Sequence, residues 1–180
     1  AEHLSVILPE LSGCVIKPGH ASGYVLFVHT PPGREEREDI LSQVRKWLLL
    51  DYSRAGGERH YRRIPPSILV EEMIGDRCDI RPVNYKIHLF CRENDTFFFV
   101  LQMIIPRKER EEVIFFINQV AEDYSGVYHH EPEIRRLLTR AVQLSYCLIK
   151  DIGYARVDWY ISCGRLYFSE ITLTPCAGFC

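Results

Sequence analysis

The chain closes on Ala155-Arg156-Val157-Asp158-Trp159-Tyr160-Ile161-Ser162-Cys163-Gly164-Arg165-Leu166-Tyr167-Phe168-Ser169-Glu170-Ile171-Thr172-Leu173, and the reading of this stretch decides the fold. Two runs of strand-forming residues flank Ser162-Cys163-Gly164, with Gly164 suited to the left-handed conformation that tight loops need. A three-residue loop pairs Ile161 with Arg165, Asp158 with Phe168 and Arg156 with Glu170. Arg156, Asp158, Glu170 and Thr172 then share one face, while Val157, Trp159, Ile161, Tyr167 and Ile171 share the other, packed face. A two-residue loop would instead put Asp158 and Glu170 on opposite faces. Two carboxylates on neighbouring strands repel unless a cation joins them. Hard oxygen ligands suit Mg²⁺, which keeps positions open for substrate phosphates. The plainer alternative is an Arg156–Glu170 salt bridge beside a solvated Asp158.

Working outward, Pro132 opens a helix whose apolar face carries Ile134, Leu137, Leu138, Ala141, Leu144, Ser145 and Leu148, with Gly153 as its stop. Before it lie strands at Tyr85–Cys91 and Phe97–Ile105, joined by a turn at Glu93-Asn94-Asp95. Residues 109–119 suit either a helix face or a buried strand. At the other end, Gly13–Pro18 and Tyr24–Val28 read as a hairpin across the small-residue link Gly19-His20-Ala21-Ser22-Gly23. A helix follows from Glu35, with Ile40, Val44, Trp47 and Leu48 at helical spacing and acidic residues in its first turn. Ser53 to Arg63 reads as a loop around Gly56-Gly57. Pro65-Pro66 then introduces a strand, Ser67–Val70, ending in Glu71-Glu72. Mixed strands and two helices define an α+β fold.

The 180 residues carry 22 Lys+Arg against 24 Asp+Glu, so a global electrostatic grip on nucleic acid or anionic membrane is not expected. No apolar run approaches the ~20 residues of a membrane span. The seven cysteines form no CxxC and suit free thiols in a reducing cytoplasm better than a disulfide framework. The opening Ala1 suggests a piece of a longer protein.

Further candidate groups stand apart from the closing ribbon. Lys17 could anchor phosphate oxygens while backbone N–H groups of His20–Gly23 cradle the rest, or could be an exposed lysine beside an ordinary turn. Glu71-Glu72 could meet an adenine edge and ribose hydroxyls, or be a solvated strand end. Arg59, His60, Arg62 and Arg63 cluster near Tyr61 with no evident stacking platform, and read as a solvated loop.

The order of these groups resembles the ATP-grasp nucleotide site and, more narrowly, the TupA-like ATP-grasp family, linked with teichuronopeptide and other surface-polysaccharide biosynthesis. The resemblance runs through Lys17–Gly23, Tyr61 with Ile64–Glu72, Asn84-Tyr85-Lys86, Ala155–Tyr160 and Tyr167–Pro175. It implies two lobes, residues 1–75 and 76–180, with a nucleotide cleft between two antiparallel sheets, and it favours a strand at 112–119. By the same resemblance, Lys17, His20, Ser22 and Gly23 meet the phosphates of ATP, and Glu71 with the Glu72–Ile74 backbone holds adenine. Asp158, Glu170 and Thr172 ligate Mg²⁺, Arg156 neutralises the terminal phosphate, and Lys86 reaches phosphate or acceptor. Thr172 replaces the usual Asn, Ala21 stands where glycine is commoner, and the preceding domain typical of such enzymes has no counterpart here. The implied activity is an ATP- and Mg²⁺-dependent ligase acting on a small-molecule carboxylate and a nucleophile. The alternative is a catalytically silent nucleotide-binding or assembly module beside other domains of a longer chain.

Overall fold

The computed structural model describes residues 2–55, 59–75, 82–92, 96–107, 110–118 and 131–175. The expected turn at Glu93–Asp95, the Gly56-Gly57 pair, and Cys78, Cys176 and Cys180 lie outside them. The chain divides into two compact units, residues 1–73 and 74–180.

In the first unit, α1 (Glu2–Ile7) and a 3₁₀ turn (Leu8–Glu10) precede β1 (Cys14–Pro18) and β2 (Leu26–Val28). Then come α2 (Arg34–Leu48), the single turn α3 (Tyr52–Ala55), a 3₁₀ turn (Arg59–Arg63) and β3 (Ile68–Glu72). The strands form an antiparallel sheet in the order β2-β1-β3, with Cys14 opposite Val28 and Glu72. Glu35 and Glu36 at the start of α2, and Arg45 and Lys46 at its end, complement the helix dipole. Its apolar stripe Ile40, Val44 and Trp47 buries against Cys14, Ile16 and Val28. Leu4 and Leu8 close the same core, from an opening segment to which the sequence pattern assigned no element. The stretch expected as a loop from Ser53 to Arg63 is helical over 52–55 and 59–63.

The second unit holds β4 (Asn84–Cys91), β5 (Phe97–Pro106), β6 (Glu111–Ile117), α4 (Pro132–Ile149), β7 (Tyr154–Ser162) and β8 (Arg165–Thr172). All pairings are antiparallel, in the order β6-β5-β4-β7-β8. The ambiguous 109–119 segment is strand β6. Alternation sends Tyr85, Ile87 and Leu89 from β4, and Ala155, Val157 and Trp159 from β7, into one core with Leu138, Ala141 and Val142 of α4. Trp159 Nε1 donates to Ser145 Oγ at 2.9 Å, and Ser145 Oγ donates to the Ala141 carbonyl at 2.7 Å, so the buried polar atoms at this contact are satisfied. Among the described residues no helix is long and apolar enough to cross a membrane.

The α4 face differs in one place from the sequence pattern. Ile149 is fully buried, whereas Leu148 is 49% exposed. The inward stripe follows the helical period from Leu138 through Val142 and Ser145 to Ile149. Ile149→Ala should therefore cost about 2–5 kcal/mol of unfolding free energy in urea denaturation, and Leu148→Ala about 0.5 kcal/mol or less.

Candidate functional site

The face of the five-stranded sheet opposite α4 carries the chemistry of the second unit. Lys86 sits between Gln102 of β5 and Asp158 of β7, and His88 lies between Val100 and Arg156. The next strand sets Glu170 against Asp158 and Thr172 against Arg156. At the centre is Asp158, only 1% exposed. Lys86 Nζ reaches its Oδ2 at 2.6 Å, Arg156 Nε its Oδ1 at 2.7 Å, and Arg156 Nη2 its Oδ2 at 3.0 Å. The same Nη2 lies 3.0 Å from Glu170 Oε1 and 3.0 Å from Thr172 Oγ1. Burial works against the Arg156 charge, but hydrogen bonds and attraction from Asp158 and Glu170 outweigh it and hold the guanidinium above its ordinary pKa.

This convergence depends on two irregularities that offset each other. The β7–β8 loop has two residues, because Ser162 pairs with Arg165. Cys163 (φ 47°) and Gly164 (φ 67°) both take positive φ, as a type I′ hairpin demands. The expected three-residue loop and its pairs Ile161–Arg165 and Asp158–Phe168 are thus corrected to Ile161–Leu166 and Trp159–Phe168, which puts Phe168 on the packed face in place of Tyr167, now opposite Tyr160 on the other. The two-residue loop alone would separate the carboxylates. A β-bulge leaves Ser169 unpaired between the Trp159–Phe168 and Asp158–Glu170 pairs and returns Glu170 to the Asp158 face. An Arg156–Glu170 bridge is present, but Asp158 is enclosed rather than solvated.

Glu170, Thr172 and Asp158 each aim an oxygen at one guanidinium nitrogen. This hard-oxygen set has the chemistry that suits Mg²⁺, with the Arg156 cation at its focus. Among the described residues no three His, Cys, Asp or Glu side chains form a metal-ligand cluster, so the set consists of two carboxylates and a hydroxyl.

Around this centre stand groups that the sequence reading passed over. His88 Nε2 contacts Gln102 Oε1 at 3.2 Å and its Nδ1 contacts the Tyr154 hydroxyl at 3.1 Å. With Gln102 Oε1 as acceptor, Nε2 carries the proton and Nδ1 accepts from Tyr154. Burial pushes His88 below its ordinary value of 6.5; Arg156 and Lys86 act in the same direction, while the Gln102 bond and Asp158 oppose it. Asn84 Nδ2 donates to the Tyr160 hydroxyl at 3.2 Å on the same face. The period-two signal was available in Asn84, Lys86 and His88, of which only Lys86 was singled out as a site residue.

In the first unit, Lys17 and Glu71 form an ion pair of 2.7 Å. They share the sheet face opposite α2 with Val15, opposite Glu71, and Leu69, opposite Lys17. Glu72 pairs with Cys14 and belongs to the other face, so the two adjacent carboxylates diverge. His20 is 3% exposed. The Ser67 N–H donates to its Nδ1 at 3.2 Å, which leaves Nε2 to donate to the Trp47 carbonyl at 2.9 Å. The two nitrogens thus tie the loop to α2 and to Ser67, the residue before β3. Ser22 is exposed, and Gly23 holds φ +82°. The Met73 N–H donates to the Gly13 carbonyl at 2.8 Å, and Ile74 is half-buried.

The two antiparallel sheets of this α+β chain match the fold of solved ATP-grasp ligases. D-alanine–D-alanine ligase from Helicobacter pylori shares it, with a TM-score of 0.54 at 16% identity over 94% of this chain and 45% of that one. The corresponding ligase from Bacillus anthracis, complexed with ATP, gives a TM-score of 0.49 at 19% identity over 88% of this chain and 40% of that one. The chain therefore spans less than half the length of either ligase. No curated protein sequence matches significantly. Residues 6–180 match the TupA-like ATPgrasp family, and the chain belongs to that family.

Two outcomes follow from the site's charges. Asp158→Asn leaves Lys86 and Arg156 facing a neutral amide, and should cost about 3–5 kcal/mol in chemical denaturation. His88 is depressed in the folded state, so its contribution to stability is present above pH 6.5 and is lost as pH falls through the lowered folded value. His88→Gln should flatten that part of the stability–pH curve, measured as urea midpoints across the acid range.

Proposed function

We propose that this chain binds ATP with Mg²⁺ and activates a substrate carboxylate for attack by an amine or other nucleophile. The observation that carries this reading is the convergence of Asp158, Glu170 and Thr172 on Arg156, with Lys86 alongside, in a member of the ATP-grasp family. Asp158, Glu170 and Thr172 would hold Mg²⁺, which would supply neutralisation of phosphate charge. Arg156 then turns its guanidinium from the carboxylates towards the terminal phosphate, and Lys86 keeps one cation on Asp158. Lys17 contacts phosphate oxygens after exchanging Glu71 for them. The Ser22–Gly23 backbone cradles them, His20 holds that loop in place, and Glu71 with the Glu72–Ile74 backbone receives adenine.

In the reaction, a carboxylate oxygen attacks the γ-phosphorus and the bond to the β–γ bridging oxygen breaks, giving an acyl phosphate and ADP. The nucleophile then adds to the acyl carbon and expels inorganic phosphate. The residues contribute position and charge rather than covalent chemistry. The setting we infer is cytoplasmic synthesis of a surface polymer or peptide-like product, in keeping with the free thiols of Cys14, Cys91, Cys147 and Cys163.

The test is ADP release that requires both Mg²⁺ and a carboxylate. Asp158→Asn and Glu170→Gln should lower kcat at least about 100-fold, and Lys17→Met should mainly raise the KM for ATP. A second reading, a nucleotide-binding module without turnover of its own, draws on Asp158 having both oxygens engaged by cations. Calorimetric ATP·Mg²⁺ binding with no carboxylate-dependent ADP release would select it. Absence of binding at millimolar ATP would remove both readings.

A further inference from the structure

The polar segment after α2 builds a cavity that the nucleotide reading leaves unused. Tyr24, from the loop that follows β1, lies 6.0 Å from Trp47 and 6.4 Å from Tyr52, centroid to centroid. Tyr52 meets Tyr61 edge-on at 4.9 Å. The rings thus link the loop after β1, α2 and the segment that the sequence pattern read as a solvated loop. The same segment holds a cavity of about 350 Å³ lined by Asp51, Ser53, Arg54 and Arg62. Tyr52 lies between two lining residues in the chain, and Tyr61 directly precedes Arg62.

Among the described residues that line the cavity, two guanidinium groups accompany one carboxylate. Ser53 Oγ donates to Asp51 Oδ1 at 2.6 Å, and Arg54 Nε pairs with Asp51 Oδ2 at 3.1 Å. The Ser53 bond, with Arg54 and Arg62, holds the Asp51 carboxyl below its ordinary value. Asp51 therefore answers one guanidinium. Among the described residues Arg62 has no carboxylate within ion-pair distance and acts on Asp51 only through space. A surplus guanidinium has the fork geometry to take a carboxylate or phosphate, and tyrosine rings offer faces and edges for an apolar ring.

We propose that this cavity binds a ring-bearing organic anion, a carboxylate or phosphate monoester whose charge meets Arg62 and Arg54 and whose ring packs beside Tyr52 and Tyr61. The site stands independently of the ligase reading, because it uses none of the residues assigned to ATP.

NMR titration of the full chain with phenyl phosphate, benzoate, inorganic phosphate and benzyl alcohol tests it, read at the Arg54 and Arg62 Nε–Hε signals and the Tyr52 and Tyr61 rings. Phenyl phosphate and benzoate should bind at least about fivefold more tightly than inorganic phosphate, and benzyl alcohol at least about tenfold more weakly than either, since both charge and ring contribute. Arg62→Gln and Arg54→Gln, both at exposed side chains, should each weaken phenyl phosphate about tenfold or more, the factor expected for one charge-assisted contact. Lys17→Met should leave that affinity unchanged. The proposal fails if phenyl phosphate binds no better than inorganic phosphate, or if Arg62→Gln has no effect. It also fails if Lys17→Met weakens binding as much as Arg62→Gln, or if a short single-stranded RNA outcompetes phenyl phosphate at equal phosphate concentration.

Discussion

A buried carboxylate held by two cations organises the second unit. Asp158 is enclosed on the open face of the sheet, where an unpaired charge would be strongly disfavoured, so Lys86 and Arg156 must both be present and correctly aimed. That requirement links three strands. Lys86 comes from β4, Asp158 and Arg156 from β7, and the guanidinium extends the network to Glu170 and Thr172 on β8. The order β4-β7-β8 is thus tied by charge as well as by the backbone ladder.

The arrangement is compact because Lys86, Arg156, Asp158 and His88 engage one another and their neighbours across adjacent strands. His88 occupies the position beside Arg156 where a third cation would be repelled, and burial with the neighbouring charges favours its neutral form. Tyr154 and Gln102 fix its ring from two strands. On the opposite side of the same sheet, Val157 and Trp159 anchor β7 to α4, so the strand carrying Asp158 has little freedom to shift.

Much of the architecture was legible in the chain. The period-two alternation of β4 and β7, the helical stripe of α2, the Pro132 start of α4 and the Gly153 stop each depend on local preferences that tertiary contacts reinforce. The acidic ribbon could also be read, because Arg156, Asp158, Glu170 and Thr172 fall on one face under a three-residue turn. The assignment of the face was right and the register beneath it was not. A type I′ turn and a bulge at Ser169 each change the alternation by one residue, and together they restore it.

By itself, then, the sequence determined the two long helices, most of the strands, their order and the residues able to carry charge chemistry, since these follow from periodicity, turn residues and side-chain type. Tertiary structure decided which groups meet. It paired Lys17 with Glu71, turned Glu72 away, and gave His20 to the Trp47 carbonyl and the Ser67 amide. It also brought Tyr24, Trp47, Tyr52 and Tyr61 into one chain of rings. Such contacts join residues far apart in sequence, and strand register and loop closure set their partners; no local pattern encodes either quantity.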